Sequence, residues 1–448
     1  MLVASPASEK ERKDGSSAPT ARRRFLFLQG PIGPFFSRLG QRLSRDGHAV
    51  HRINLHGGDR LFWRLPGALD YRGDAPDWPQ FFSECVSHWH VTDLLLFGDC
   101  RPLHRAAIEV AAARGIRVHV FEEGYLRPNW VTLEEGGVNA NSCLARDPQH
   151  YRDAIASLPA SSGAVPVRNS FARRAVEDVL YHSAMVLARH WYPGYRTHRP
   201  WHPYVEYASA AGRFLRRPLA KRRLARIARN FAARSQPYYL FPLQLNADVQ
   251  IRHHFSSGCM QFAIENVIAS FARCAPGEAL LVLTEHPLET GVVDLKSFAG
   301  RCARAAGIES RLLYLEGGSP REFVRQCRGM ITVNSTMGLV GMDCGVPVVA
   351  LGRAVYALPG LTFQGALDDF WEDGAPADPA LLDAFRRVII ARTQINGGFY
   401  SHSAVALAVQ GAAHRLQQQP APVAVAQPVT PAREHEFAFA SALHPVAQ

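Results

Sequence analysis

The amino-acid sequence predicts an α/β protein with two Rossmann-like domains, each built around a parallel sheet. Short apolar runs typical of buried strands alternate with longer amphipathic runs typical of helices, and this alternation occurs in two blocks. At 448 residues the chain can bury two cores of ordinary size. Hydrophobic residues make up 47% and charged residues 20% of the chain, as in soluble globular proteins.

The first block covers residues 24–150. Its strand-like runs are "RRFLFLQG", "HAVHRINLHGGD", "VTDLLLFGD" and "IRVHVFEEG". Its helical runs are "PFFSRLGQRLSRDG", which ends at Gly47, and "PLHRAAIEVAAARG". Helical runs between strands favour parallel pairing, because a parallel connection must cross over the sheet.

The second block covers residues 235–375 and has the same alternation. Its strand-like runs are "YYLFPLQ", "ALLVLTEHP", "RLLYLEGG", "GMITVNST" and "VPVVALG". Helices are predicted around "MQFAIENVIASFARC", over Lys296 to Ala306, in "MGLVGMDCG", and in "SPREFVRQC", where Ser319 and Glu322 form a capping-box start. A further helical segment is expected over residues 376–416.

Residues 151–234 join the two blocks and carry most of the net charge of +11. Between Pro166 and Arg234, 15 Arg or Lys residues stand against three acidic residues. The stretch "HWYPGYRTHRPWHPYVEY" mixes Trp and Tyr with basic side chains, and a basic cluster follows at Arg216, Arg217, Lys221, Arg222 and Arg223. This pattern is typical of a segment on an anionic membrane surface, and a linker helix with a solvated basic face is the alternative. Nucleic acid is not an expected partner, because no recognised nucleic-acid motif accompanies the patch.

Several classes of protein are excluded by what the chain lacks. The eight cysteines form no CxxC pair and no Cys/His cluster at metal spacing, which indicates reduced thiols and no structural zinc. The sequence shows no apolar signal-peptide region and no run near the roughly 18 apolar residues of a membrane span. We therefore expect a cytoplasmic protein, with disordered segments at residues 1–23 and 417–448.

Polar residues and glycines gather where the predicted strands end, which is where open parallel sheets bind ligands. In the first block these residues are Gln29, Gly30, Gly33, Gly98, Asp99, Cys100, Arg101, Glu122, Glu123 and Gly124. In the second block they are Gln244, Asp248, Glu285, His286, Pro287, Asn334, Ser335, Thr336, Gly338, Gly352 and Arg353. Two Rossmann-like domains whose strand ends face one another across a cleft make the GT-B arrangement of glycosyltransferases. The predicted fold is therefore GT-B-like, with a basic helical segment bridging the domains.

His286 and the sequence "NSTMG" are candidates for phosphate binding. Pro287 favours an extended conformation at His286, which would hold the imidazole rigidly at a strand end. Hydroxyl and backbone N–H groups that precede a helix can bind phosphate, and Ser335 and Thr336 stand at such a position. The alternatives are a solvated loop histidine and simple N-capping by one of the two hydroxyls.

A series of motifs resembles the capsular polysaccharide biosynthesis and export family, specifically its S-type members. The motifs are "FLQGPIGPFFSRLGQRLSRDGH", "INLHGGDRLFW", "DYRG", "LLLFGDCRPLHRAAIEVA", "VFEEGYLRP", "LQLNADVQIRHH", "EHPLETG" and "NSTMGLVGMDCGVPVVALGRAVYALPGLT". The resemblance extends in order from about Arg24 to about Tyr400. It implies a β-Kdo transferase that uses CMP-Kdo and starts the Kdo linker of a capsule on a (lyso)phosphatidylglycerol acceptor. It also implies a peripheral location on the inner face of the plasma membrane, beside a companion capsule Kdo transferase and the ABC exporter.

The resemblance further implies roles for the candidate donor-binding residues. His286 with Pro287 falls on the family's HP motif, although basic residues commonly precede that motif and this chain has Thr284 and Glu285. Ser335 and Thr336 fall on the CMP-phosphate motif. We add Gln244 and Asn334, at the same strand ends, as donor-binding residues.

Asp248, in the polar loop "QLNADVQIR", falls on the family's catalytic carboxylate. A turn aspartate is the alternative reading of this position. The resemblance implies a β-linked product from a β-linked donor, and such retention can arise from two displacements, with Asp248 as nucleophile. Action as a general base is the fallback role. No metal or other cofactor is expected, because the protein itself can stabilise the departing CMP phosphate.

The first domain of a GT-B enzyme usually takes the acceptor. We therefore expect Glu123, and less strongly Glu122, to hydrogen-bond acceptor hydroxyls, with a solvated turn as the alternative. Gly30, Asp99 and Arg101 are weaker candidates on the same sheet edge.

Two other functions fit parts of the sequence. The protein could be a non-catalytic export adaptor that binds the lipid-linked glycan, but an adaptor has no need of a carboxylate and a phosphate site in one cleft. It could also transfer another CMP-activated acidic sugar, because the histidine and hydroxyl motifs recognise CMP rather than the sugar.

Overall fold

The computed structural model describes residues 22–159, 163–197, 201–209, 227, 236–245, 259–287, 289, 291–316 and 321–418. The candidate Asp248, the basic cluster at residues 216–223, Ser319 and both predicted disordered tails (apart from the short stretches 22–23 and 417–418) lie outside these residues. The expectations for them remain predictions. Both sheets described below belong to one unit, Met1–Gln417.

The first domain is built around a mixed sheet with seven strands in the described part of the chain. They are β1 (Arg24–Phe27), β2 (Ala49–Asn54), β3 (Ala68–Asp70), β4 (Asp93–Phe97), β5 (Arg117–Glu123), β6 (Trp130–Glu135) and β12 (Gln394–Asn396), in the spatial order β12-β6-β5-β4-β1-β2-β3. The predicted strands β1, β2, β4 and β5 pair in parallel, as does β3, which was not predicted. β6 and β12 pair antiparallel. β6 follows β5 through a short turn rather than a helix, and a short turn permits only antiparallel pairing.

Helices cover both faces of this sheet. They are α1 (Phe35–Arg45), α2 (Gly57–Phe62), α3 (Trp78–His88) and α4 (Pro102–Ala113). In α1 the side chains of Phe35, Phe36, Leu39 and Leu43 recur at helical spacing and are buried against the sheet. This packing places the start of α1 at the carboxyl end of β1.

The second domain has a parallel sheet of five strands within the described residues. They are β7 (Tyr238–Pro242), β8 (Leu280–Thr284), β9 (Leu312–Leu315), β10 (Gly329–Thr332) and β11 (Val348–Ala350), in the order β11-β10-β7-β8-β9. Its helices are α7 (Met260–Cys274), α8 (Leu295–Ala305), α9 (Arg321–Val324), α10 (Met337–Asp343) and α11 (Leu367–Asp373). β7 and β10 are buried along their whole length, which explains their continuous apolar runs.

The end of the described chain returns to the first domain. α12 (Pro379–Arg392) packs into the core of the second domain, whereas β12 and α13 (His402–Gln417) pack on the first sheet and on α1. Residues 376–416 therefore contain a strand as well as helices. The predicted GT-B-like class, with two Rossmann-like domains, is confirmed.

Two helices of the segment between the domains are described, α5 (Pro148–Ala154) and α6 (Phe171–Leu187), and residues 203–209 are also helical. α6 packs closely on α2, and a Cβ on Gly57 would lie 2.3 Å from the carbonyl oxygen of Ala184. Glycine is therefore required at this contact. α6 is thus part of the first domain rather than an extended linker. No helix in the described ranges combines the length and apolar character needed to cross a bilayer.

Candidate functional site

A cavity of about 290 Å³ lies between the two sheets. One wall is the turn after β5, at Tyr125 to Arg127, and the other consists of the ends of β7, β8 and β10 with the start of α10. The cavity therefore lies beyond the carboxyl ends of strands from both domains, where ligands of such folds bind. A larger, shallow depression at Ser83, His88 and Arg114 lies away from the carboxyl ends of the strands.

Gln244 and Asn334 join the ends of β7 and β10. The Gln244 side-chain amide donates to Asn334 Oδ1 over 2.8 Å, and Gln244 Oε1 accepts a hydrogen bond from the Asn334 backbone N–H over 3.0 Å. Gln244 is buried, so this reciprocal pair fixes the loop that precedes α10. Gln244 therefore positions the candidate phosphate loop, and direct contact with a donor stays a prediction.

Ser335 and Thr336 lie in the cavity wall and differ in their bonding. Ser335 Oγ accepts a hydrogen bond from the Met337 N–H over 3.2 Å, and the Ser335 carbonyl accepts one from the buried Tyr356 hydroxyl. Thr336 is the N-cap of α10 but makes no side-chain capping hydrogen bond. The capping alternative thus holds for Ser335, and Thr336 carries the hydroxyl better placed for a ligand. α10 has only seven residues, so its dipole contributes little.

His286 also lines the second-domain wall of the cavity, in the turn after β8. Its carbonyl accepts a hydrogen bond from the Glu289 N–H over 2.9 Å, which closes a turn. Burial, and then the positive charges of Arg127 and Arg174, lower the pKa of His286 to about 4. The imidazole is therefore neutral at neutral pH in the empty cleft and offers a phosphate one N–H rather than a full charge. Pro287 is exposed at the cavity rim.

Sequence reasoning missed other polar groups of this wall. The Thr284 hydroxyl is buried at the cavity and has no hydrogen-bond partner among the described residues. Arg321 and Arg386 also line the cavity, and Arg386 forms an ion pair with Asp343. Thr284 stands directly before Glu285 in the HP turn and could have been proposed from its strand end. Arg386 comes from α12, which no strand-end rule would connect to this cavity.

A buried carboxyl group, that of Glu134 in β6, is bonded to Tyr125 of the first-domain wall. Tyr125 donates to Glu134 Oε1 over 2.6 Å, and the Ser142 hydroxyl donates to Oε2. Burial raises the pKa of Glu134 from 4.5 to about 7, and these hydrogen bonds offset only part of that effect. Glu134 thus holds Tyr125 against the cleft and titrates near neutral pH.

Replacing Glu134 by Gln should flatten the pH dependence of stability. A carboxyl group whose folded pKa is raised stabilises the fold below its unfolded pKa and loses that contribution as pH rises through the folded value. The shift corresponds to about 3 kcal/mol between roughly pH 5 and pH 8. Thermal unfolding midpoints should therefore fall more for the wild type than for Glu134→Gln over this range. Parallel profiles would contradict the assignment.

Glu122 and Glu123 end β5 as expected, but each is engaged within the fold. Glu122 Oε1 accepts a hydrogen bond from the Glu123 N–H over 2.9 Å. Glu123 Oε1 accepts one from the Tyr400 hydroxyl over 2.7 Å. Burial, and then the Glu123 carboxylate, keep the pKa of Tyr400 well above its ordinary value, so the phenol remains the donor. Acceptor binding by either glutamate stays a prediction.

Two of the weaker acceptor candidates, Asp99 and Gly30, are used within the fold. Both oxygens of Asp99 are bonded, Oδ2 to the Val138 N–H at 3.0 Å and Oδ1 to the Cys100 thiol at 3.2 Å. A Cβ on Gly30 would lie 2.6 Å from the ring of Phe36, so Gly30 is required for packing. These contacts give Asp99 and Gly30 structural roles, and nothing in the geometry adds a ligand contact.

Arg101 differs from these residues. Its guanidinium lies 5.8 Å from the Phe97 ring centroid, and its Nη1 is buried with no hydrogen-bond partner in the described part of the chain. Its role in acceptor binding stays a prediction.

The ends of β1 and β2 are closed by α6. Gln29 contacts His56 Nε2 at 2.5 Å and the Tyr181 hydroxyl at 3.0 Å, and that hydroxyl also lies 3.3 Å from Asp59 Oδ1. Burial lowers the pKa of His56 to about 4. All four side chains are buried, and through the hydrogen bonds of Tyr181 they attach α6 to the sheet. The part of this sheet edge that borders the cavity is therefore the turn after β5.

The chain matches known capsule proteins. A family model described as "Capsule polysaccharide biosynthesis protein" matches residues 92–400. The chain is 35% identical over 379 residues to the capsule polysaccharide export protein KpsS of Escherichia coli, with 84% of this chain and 97% of that protein covered. It is 32% identical over 394 residues to the capsule polysaccharide modification protein LipB of Neisseria meningitidis serogroup B, with 84% and 91% covered.

The solved structures that match are more distant. A Thermosulfurimonas dismutans structure described as KpsC, beta Kdo 2,7 transferase, has a TM-score of 0.41 and 12% identity, with 89% of this chain and 100% of that chain covered.

Proposed function

The chain belongs to the capsule polysaccharide biosynthesis protein family, and from this membership and the cleft we propose that it is a glycosyltransferase. It transfers Kdo from CMP-Kdo to a (lyso)phosphatidylglycerol acceptor and so starts the β-Kdo linker of a capsular polysaccharide. The donor and the acceptor follow from the resemblance in sequence motifs to S-type family members. The names of the two relatives support a role in capsule assembly.

One observation carries the proposal. The cavity places the candidate phosphate-binding groups of the second domain opposite the exposed edge of the first domain. On the second-domain wall, neutral His286 and the Thr336 hydroxyl can donate to the CMP phosphate, and Arg321 supplies positive charge. An acceptor that enters along the turn after β5 then meets the sugar between the two walls.

In the proposed reaction, the bond between the anomeric carbon of Kdo and the CMP phosphate breaks as a carboxylate oxygen of Asp248 attacks that carbon. CMP departs with the bonding electrons and is stabilised by the phosphate-binding wall. The acceptor hydroxyl then displaces Asp248 and releases its proton, and two inversions give a retained β linkage. In the fallback mechanism Asp248 takes the acceptor proton instead. Among the described residues, no cluster of three side chains is suited to hold a metal ion.

A comparison of donors tests this function against its alternatives. Purified protein with lysophosphatidylglycerol should release CMP from CMP-Kdo, and much more slowly from CMP-sialic acid. Release from CMP-sialic acid alone would assign another acidic sugar. An export adaptor would release CMP from neither donor.

We also propose that α6 and the segment after it rest on the anionic membrane surface, at the cytoplasmic face. Ten of the twelve strongly exposed large apolar side chains among the described residues fall between positions 165 and 205, including Leu180 at 51% and Leu187 at 74% exposure. Fewer Trp and Tyr side chains of this segment are free to meet a membrane than the sequence predicted. Trp191, Trp201 and Tyr204 are exposed, but Tyr192 is buried, and Tyr195 and Tyr207 bond to Gln29 and Asp178 within the fold.

The double variant Leu180→Gln/Leu187→Gln should bind phosphatidylglycerol vesicles about 30-fold less tightly, because each inserted leucine contributes on the order of 1 kcal/mol. Vesicle sedimentation at fixed salt measures this. Leu69→Gln, which removes an exposed leucine from β3, is the matched control and should bind like the wild type. Equal binding by the double variant would refute the assignment of this surface.

A further inference from the structure

Two arginines, one in the cavity wall and one near it, are not used by the proposed phosphate site. Arg127 lies in the turn after β5, and Arg174 lies in the first turn of α6. Both side chains are exposed. Within the described residues, neither guanidinium forms an ion pair with a carboxylate, whereas the neighbouring Arg173 is paired with Glu177. Two guanidinium groups, one in the first-domain wall and one near it, are therefore not ion-paired within the described part of the chain.

Contacts place the two guanidinium groups around one region of the cleft. Arg127 lines the cavity together with His286. The Arg174 guanidinium lies 4.4 Å from the centre of the Tyr400 ring, and Tyr400 is hydrogen-bonded to Glu123 at the end of β5. The positive charges of both arginines lower the pKa of His286, which lines the cavity.

The nearby acid, Glu123, is hydrogen-bonded to Tyr400 and forms no ion pair with either arginine among the described residues. Glu123 is the acidic side chain bonded within this group, and one of its oxygens is occupied by the Tyr400 phenol rather than by Arg174. His286 is neutral at neutral pH and adds no further charge. An anion that enters between Arg127 and Arg174 thus meets two guanidinium groups that have no carboxylate partner among the described residues. The fork of N–H groups in a guanidinium suits a carboxylate.

We propose that Arg127 and Arg174 bind the carboxylate of the donor sugar while its nucleotide lies on the second-domain wall. This inference rests on the proposed function, because it assumes a CMP-activated acidic sugar. It makes the two arginines specificity-determining residues, since a neutral sugar offers them no charge. It also makes the donor bridge the two domains, with its phosphate on one wall and its carboxylate on the other.

Calorimetric titration of two ligands tests the proposal. Free CMP and a hydrolysis-resistant CMP-Kdo analogue are titrated into the wild type, Arg127→Gln, Arg174→Gln and the double variant. Each single variant should lose about 10-fold or more in affinity for the analogue, the effect of one charge-assisted hydrogen bond, and keep its affinity for CMP. In the double variant the two ligands should bind about equally. Arg127→Lys and Arg174→Lys, which keep the charge without the fork, should give intermediate values.

The matched control is Arg45→Gln. Arg45 is an exposed arginine in the last turn of α1, and that end of the helix lies at the sheet edge opposite the cleft. It should bind both ligands like the wild type.

Three results would overturn the proposal. Equal losses for CMP and the analogue would assign the arginines to the nucleotide or to the fold. Unchanged analogue affinity with a raised KM for lysophosphatidylglycerol would assign them to the lipid phosphate. A wild type that binds neither ligand would contradict the proposed function itself, and this inference would fall with it.

Discussion

Asp248→Asn is expected to lower the rate of Kdo transfer by at least about 100-fold, the low end for removal of a catalytic acid–base group. The change is nearly isosteric and keeps a polar side chain in a polar loop, so the protein should fold and bind CMP as before. The effect arises because an amide can neither attack the anomeric carbon nor accept the acceptor proton. Single-turnover rates and CMP titration of the same preparation separate chemistry from binding.

The two roles of Asp248 can be distinguished by trapping. Wild-type protein incubated with CMP-Kdo and no acceptor should gain the mass of one Kdo residue, and peptide mapping should place the adduct at Asp248. If Asp248→Asn is inactive but the wild type gains no Kdo adduct, Asp248 acts as a general base. An active Asp248→Asn protein would remove Asp248 from the mechanism altogether.

The double variant His286→Ala/Thr336→Val is expected to bind CMP about 100-fold less tightly than the wild type. Each side chain supplies one hydrogen bond to a charged phosphate, worth roughly 1.5–3 kcal/mol, or about 10-fold in affinity or more. His286 and Thr336 lie on separate strand-end loops but share the phosphate as a partner, so the single variants are needed to measure the coupling between the two effects. Titration calorimetry with CMP measures them together and one at a time.

Ser335→Ala is the informative comparison. If Ser335 also binds the phosphate, as the sequence motif implies, the Ser335→Ala variant should bind CMP about 10-fold less tightly. If it acts through the hydrogen bond to the Met337 N–H, the loss should appear as a lower thermal unfolding midpoint instead. Unchanged CMP affinity in His286→Ala, Ser335→Ala and Thr336→Val would contradict the phosphate site.

The sequence predicted the parallel strands of both domains because their signals are local. Apolar runs such as Leu280–Thr284 are buried on both faces of a sheet, and that burial is visible in composition alone. β3, β6 and β12 were missed for different reasons. β3 has three residues, two of them exposed, so it has no apolar run. β6 follows a turn without a helix, and the three residues of β12 are a strand only because they pair with β6. Such pairing is a tertiary effect that local propensity does not contain.

In the candidate site, too, the residues that follow a local rule were predicted and those placed by the tertiary structure were not. The strand-end rule brought His286, Ser335 and Thr336 to one cavity, because carboxyl ends of parallel strands share one sheet edge. The same rule also selected Asp99 and Gly30, which the fold uses for hydrogen bonding and packing. Arg127, Arg174 and Arg386 were missed, because they reach the cleft from a turn and two helices whose positions only the tertiary structure defines.

The most direct measurement is mass spectrometry of the lipid after incubation of the purified protein with CMP-Kdo and lysophosphatidylglycerol. We predict that the lysophosphatidylglycerol gains one Kdo residue with the wild type and remains unmodified with Asp248→Asn. Unmodified lipid with a wild-type protein that binds CMP in a parallel titration would contradict the proposal that this protein is a Kdo transferase.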